Sequence, residues 1–121
     1  MYGQISRQEQ LRNRTKKSAL RIIRRFRHLP RSTELQVLGG QLLRSGTSAG
    51  PNYQAAGRSG SKAEFVSKVG IVVEAADEAV FWLDCLVESG MVKEELWKDL
   101  QVEANDRGAI FRASDRTARP W

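Results

Sequence analysis

The chain has one cysteine, Cys85, one histidine, His28, three prolines and 7% aromatic residues over 121 positions. A lone cysteine excludes an internal disulfide framework, and a reducing cytoplasm is the expected setting. One His and one Cys cannot build the usual zinc ligand sets. Glu74, Asp77 and Glu78 could imitate a di-iron carboxylate site, but the Glu-x-x-His pairs of such bundles are missing, so these acids read as solvated surface. Gly60-Ser61-Lys62 lacks the order and upstream spacing of a phosphate-binding Walker A loop. No apolar run approaches the ~20 residues that span a bilayer. The opening MYGQISRQEQ has no apolar centre of the kind a secretory signal needs. The expectation is a soluble protein with no metal, no cofactor and no membrane partner.

What is present is a globular composition with unevenly placed charge. Hydrophobic residues are 40% and charged residues 28%, and the length suits one domain with its own core. The net charge is +6, yet residues 1–31 hold ten basic residues against the single acid Glu9, while the remainder holds ten against thirteen acids. Leu11 to Leu29 alone carries eight Lys and Arg and no acid. Such asymmetry fits either a polyanion site or an internal electrostatic match.

Apolar periodicity predicts four helices, at about 7–29, 34–57, 62–89 and 93–117. Ser6 to Glu9, Thr33 to Gln36 and Ser61 to Glu64 each fit a capping box, with Asn13 a competing start for the first helix. The first helix places Leu11, Thr15, Ser18, Ile22, Phe26 and Leu29 on its core face, widened by Ala19 and Ile23. The second contains Gly39, Gly40, Gly46, Gly50 and Pro51, which predicts a kink or break near 46–51 and close approach by a neighbouring helix. The third is apolar over more than half its circumference, more than one bundle core requires, and its remaining strip is acidic. The fourth turns Leu96, Trp97, Leu100, Ala104, Phe111 and Ser114 inward, with Arg107 and Gly108 incongruously on the same face. Arg116, Arg119, Pro120 and Trp121 form a basic tail expected to fray. Short connections give one all-α domain, an antiparallel up-down four-helix bundle.

Catalytic chemistry finds little footing. Gly46 to Gly50 reads G-x-S-x-G, but a hydrolase elbow needs a preceding strand and a later histidine, and neither is evident. The expectation is no enzyme. The basic face of the first helix remains: Arg14, Lys17, Arg21, Arg24, Arg25 and His28 are the candidate contacts to a nucleic-acid backbone. Two other readings stand beside this one, a solvated face or a partner for the acidic strip of the third helix. No known nucleic-acid-binding module is present, so base-specific readout is not expected. Leu20, stranded among basic neighbours, joins Ile71 and Trp82 as a candidate oligomer interface.

Several segments resemble a family. Leu11-Arg12-Asn13-Arg14-Thr15-Lys16, Leu29-Pro30, Gln41 to Ser48, Asn52-Tyr53, Ser61 to Phe65, Glu74 to Glu78, Trp82-Leu83 and Ile110-Phe111 are similar to bacterial four-helix bundle proteins from intervening sequences of large-subunit ribosomal RNA genes. The resemblance spans nearly the whole chain. It implies an up-down bundle assembling as a homo-pentamer. It also implies kinship with the accessory variability protein of diversity-generating retroelements, which works with a reverse transcriptase and nucleic acid. It supplies no catalytic residues. Asp106-Arg107-Gly108 departs from the family tendency to an acid, a leucine and a small apolar residue, and Pro51 stands where alanine is common. The resulting expectation is an oligomeric bundle that binds nucleic acid, RNA foremost, with a protein-assembly module as the alternative.

Overall fold

The structure, a computed structural model, describes residues 6–119. Residues 1–5 and the expected tail residues Pro120 and Trp121 lie outside that range. Four helices make up the fold: α1 (Arg7–Arg27), α2 (Thr33–Ala56), α3 (Lys62–Glu88) and α4 (Glu94–Ala118), with no strand among the described residues. They run up and down in sequence order. α1 packs along α2, α2 along α3 and α3 along α4, while the seam closing α1 onto α4 is the narrowest. α1 and α3 sit on opposite corners, with no close approach of their backbones.

Local chemistry sets the helix starts. The Ser6 Oγ accepts the Glu9 N–H at 3.1 Å, and Ser61 accepts the Glu64 N–H at 3.1 Å. Glu64 reaches back to the Gly60 N–H at 3.1 Å, one residue before the cap. In α2 the cap is Ser32 rather than Thr33, with its hydroxyl accepting from Leu35 N–H at 3.2 Å. Asn13 lies inside α1. Gly90 ends the turn after α3 at φ 78°, a backbone state that favours glycine. Of the residues expected to fray, Arg116 lies within α4, which continues to Ala118, and the Arg119 Nε donates to Asp115 at 2.9 Å.

Of the kink or break expected near 46–51, the break does not occur, and α2 is continuous from Thr33 to Ala56 with Pro51 inside it. Pro51 is exposed, and on the solvent side a carbonyl that lost its N–H partner can be hydrated. The glycines do what small residues allow. A Cβ at Gly46 would sit 2.5 Å from Ile22 Cδ1, and one at Gly39 would sit 2.6 Å from Leu29 Cδ1. α1 is therefore seated in a groove of α2 that has no side chains to obstruct it.

Two buried clusters fill the interior. One gathers Ile22, Leu42, Leu83, Leu86, Trp97 and Leu100. The other gathers Leu11, Val72 and Phe111 around Tyr53, whose ring centre lies 5.4 Å from that of Phe111. Both expected faces of α3 contribute, Val69, Val72, Ala76 and Leu83 from one and Ala75, Ala79 and Leu86 from the other. The breadth of α3 is thus mostly used inside the chain, because α3 packs against α2 and α4 at once. Ile71 and Phe81 are the remainder, 45% and 56% exposed. Two expected core residues point elsewhere: Ile23 lies past the edge of the α2 groove that takes Ile22, and Leu96 yields the inward position to Trp97. Both are exposed.

The groove makes a contrast between glycines on one helix. Gly40 has nothing within 4 Å of an added Cβ, so Gly40→Ala is expected to stabilise by about 1 kcal/mol through helix propensity. Gly46→Val drives methyls into Ile22 and is expected to cost roughly 1–3 kcal/mol. Urea unfolding midpoints decide it, and equal shifts for the two variants would show that α1 is not seated against Gly46.

Candidate nucleic-acid interface

At 100° per residue, the basic residues of α1 divide between two faces. Arg14, Arg21 and Arg25 fall on the side turned to α4. Lys16, Lys17, Arg24 and Arg27 fall on an outward arc, with His28 beyond its edge at the helix C-cap. The six candidates thus split three and three.

The α4 side is occupied. Arg14 grips Glu103 through two nitrogens, Nη2 to Oε1 at 2.7 Å and Nε to Oε2 at 2.9 Å, and Asp106 lies 3.8 Å from the same guanidinium. The buried Ser18 hydroxyl donates to Glu103 Oε2 at 3.1 Å. Arg107, only 3% exposed, comes from below with its Nε 3.7 Å from that oxygen and without a hydrogen-bond partner. One turn down α4, Asp99 pairs with Arg21 and lies 3.7 Å from Arg25, whose guanidinium carbon stands 5.9 Å from the Trp97 ring centre. Asp99, Glu103 and Asp106 are spaced four and three residues apart, so they make one acidic face of α4 aimed at α1.

Electrostatics follows that geometry. Burial pushes the Glu103 carboxyl up, but the Arg14 hydrogen bond and charge, with Ser18 and Arg107, outweigh it and hold the group below the ordinary carboxylate value. Its hydrogen bond to Glu103 holds the Arg14 guanidinium above its ordinary value against partial burial. Burial lowers Arg107, and Arg14 adds to that, while Glu103 opposes both. Glu103 is the counter-charge for two arginines at a part-buried helix seam.

The acidic strip of α3 does not meet α1. Asp77 pairs with Arg112 of α4 at 2.6 Å, Glu78 with Arg44 of α2 at 2.6 Å, and Asp84 accepts from Gln101 at 3.0 Å. The internal match is made by α4 instead. The signal was available in the sequence, in the four-and-three spacing of the α4 acids.

The outward arc is different. Lys16, Lys17, Arg24 and Arg27 are exposed and form no ion pair among the described residues, and His28 Nδ1 is 2.8 Å from the Arg24 carbonyl. Lys16 and Arg27 were not singled out from the sequence, although helical spacing sets them on either side of Leu20. Leu20 and Ile23 lie within the arc, 40% and 37% exposed. Of the other two interface candidates, Ile71 is exposed on the opposite corner. Trp82 is half-buried against Phe81, their ring centres 4.9 Å apart.

Elsewhere a cleft of about 790 Å³ opens between the N-terminal turns of α1 and the C-terminal half of α4, over Leu11, Phe65 and Ile110. Among the described residues its lining includes no Asp, Glu, His or Cys, and the Ser114 and Thr117 hydroxyls are bonded to the Ile110 and Ala113 carbonyls. Gly46 to Gly50 lies in the middle of α2, so Ser48 sits on a helix rather than on a strand-to-helix turn, and it accepts a hydrogen bond from Asn52 at 3.2 Å.

Removing the Glu103 charge isolates the seam. Glu103→Gln leaves Arg14 and Arg107 facing each other and is expected to cost roughly 2–3 kcal/mol, less than for a fully buried pair because Arg14 is partly solvated. Arg107→Leu, which replaces a buried charge by an apolar side chain, is expected to be neutral or stabilising. Because the folded carboxyl lies below its ordinary value of 4.5, its contribution is fully present above that value. It is lost as pH falls through the lower folded value. Wild-type stability should therefore fall below about pH 4.5 by more than that of Glu103→Gln. Parallel curves for the two proteins would contradict the assignment.

A sequence profile of the 23S rRNA-intervening sequence protein family matches residues 7–113. No protein of curated function matches the chain in sequence. Among solved structures, the bundle is similar to a crystal structure of a protein of unknown function from the S23 ribosomal protein family of Bacteroides thetaiotaomicron. The TM-score is 0.83 at 23% identity, over 92% of this chain and 99% of that one, a likeness of fold. The profile spans nearly all of the described bundle, from the first turn of α1 to within six residues of the end of α4, and the chain belongs to the family of 23S rRNA-intervening sequence proteins.

Proposed function

We propose that the chain is a non-enzymatic RNA-binding bundle of the cytoplasm, engaging the phosphate backbone through the outward arc of α1. The observation that carries this reading is the division of charge. Lys16, Lys17, Arg24 and Arg27 are left exposed and without an ion pair among the described residues, while the other basic row is neutralised by α4. Four cations on one helical arc can follow a phosphate backbone without reading bases. The family description favours RNA over DNA, and kinship with the accessory protein of retroelements makes a reverse transcriptase a candidate partner. A cleft whose described lining offers no carboxylate, imidazole or thiol beside the Tyr53 phenol argues against catalysis there. A homo-pentamer would repeat the arc around one axis and add weak contacts by multivalency.

An assembly module is the second reading, favoured by where the exposed apolar residues lie. Leu20 and Ile23 sit within a basic arc, while Ile71 and Phe81 sit on the diagonal corner beside the exposed acid Glu74. Complementary patches on opposite corners can meet only head to tail, which produces rings or filaments rather than a two-fold dimer.

The two readings separate in one experiment. Four phosphate contacts predict a slope of about −3 for log affinity against log salt on single-stranded RNA. Lys17→Glu with Arg24→Glu should weaken binding and flatten that slope by at least about 1.4, with oligomer mass unchanged. Loss of assembly with unaltered binding favours the second reading, and no binding by wild type at low salt refutes the first.

A further inference from the structure

We infer that the α1–α4 seam is a second, latent row of the phosphate-binding surface, in which Asp99 occupies the place of a backbone phosphate. This rests on the RNA-binding reading and adds Arg21 and Arg25 to it. Both arginines lie one helical turn apart on α1 and border the outward arc at Lys17, Arg24 and His28. Each is about one-third exposed, and both are directed at the same exposed carboxylate. An arginine fork pairs as readily with the two non-bridging oxygens of a phosphodiester as with the two oxygens of a carboxylate.

Asp99 and Glu103 differ in the way this role requires. Glu103 is largely buried, accepts from Arg14 and Ser18, and lies against Arg107, so it belongs to the interior of the seam. Asp99 is 56% exposed at the rim and is held on its α1 side by an exposed, hydrogen-bonded ion pair with Arg21 and a longer ion pair with Arg25. Exposed ion pairs are weak and easily exchanged. Once Asp99 is displaced, Arg25 keeps its place beside the Trp97 ring, which helps hold the guanidinium for an incoming anion. An RNA strand lying on the outward arc would thus compete with Asp99 for two more cations, and the free protein would bind more weakly than its arginine content implies.

The test is Asp99→Asn in the full chain, titrated with a 20-nucleotide oligouridylate at several salt concentrations. Asparagine keeps the oxygen that accepts the Leu100 N–H and removes only the charge. Glu74→Gln, on the diagonal corner, makes the same change in net charge away from α1. Asp99→Asn is expected to raise affinity about tenfold at 0.1 M salt and to steepen the salt slope by about 1.4, the share of two single-strand contacts. Glu74→Gln should leave both unchanged. An equal rise in both variants would assign the effect to net charge and overturn the inference. So would an unchanged Asp99→Asn beside a wild type whose binding is lost in the Lys17→Glu, Arg24→Glu protein, in which case the outward arc stands alone. No binding by any of these proteins at low salt overturns the inference together with the reading it rests on.

Discussion

The Arg14–Glu103 pair closes the bundle. α1 approaches the other helices along two unlike seams, and it shares only the central core with α3, without close approach of the two backbones. Toward α2 the approach is steric, with Ile22 and Leu29 seated over Gly46 and Gly39. Toward α4 the contact is narrow and largely polar, with Glu103 holding Arg14, Ser18 and Arg107. A buried charge is tolerable only when paired and hydrogen-bonded. Arg107 would otherwise be an isolated cation in the core, and Arg14 would have no reason to lie down on α4. The buried face of α1, Leu11, Thr15, Ser18 and Ile22, sets its rotation about its own axis. The pair holds Arg14 on the α4 side, while the cations of the outward arc reach water.

That rotation decides the functional reading. A helix with eight basic residues between Leu11 and Leu29 looks, in sequence, like one continuous cationic face. In the bundle it is two. The row Arg14, Arg21, Arg25 is neutralised by a matching row of acids, and the arc Lys16, Lys17, Arg24, Arg27 is left to the solvent. The family profile fixes what kind of bundle this is, and the division of charge is particular to its surface.

Much of this was legible beforehand because it is local. Ser6 and Ser61 are followed three residues on by Glu9 and Glu64, and both cap as that pattern directs. Apolar spacing located Leu11, Ile22, Leu100 and Phe111 in the core. Other features depend on which helices become neighbours, which local spacing does not state. Ser32 rather than Thr33 caps α2. Pro51 faces water and does not end α2. Arg107 was evidently inward, but its reason lies in Glu103 one turn away and in Arg14 on another helix. The α4 acids were passed over because α3 carries the more conspicuous acidic strip, which the structure pairs with α2 and α4. Leu96 and Ile23 show the limit of periodicity, since a position at the edge of an apolar face is buried only if a neighbour extends that far.

The central claim is that α1, through its outward arc first, meets the phosphate backbone, and that the cations of the other elements do not. Lysine acetylation read by mass spectrometry, with and without single-stranded RNA at low salt, tests it directly. The account predicts protection of Lys16 and Lys17 and unchanged labelling of Lys62, Lys68, Lys93 and Lys98 on the other elements. Uniform protection, or protection at Lys62 and Lys68 with Lys16 and Lys17 still reactive, would contradict it.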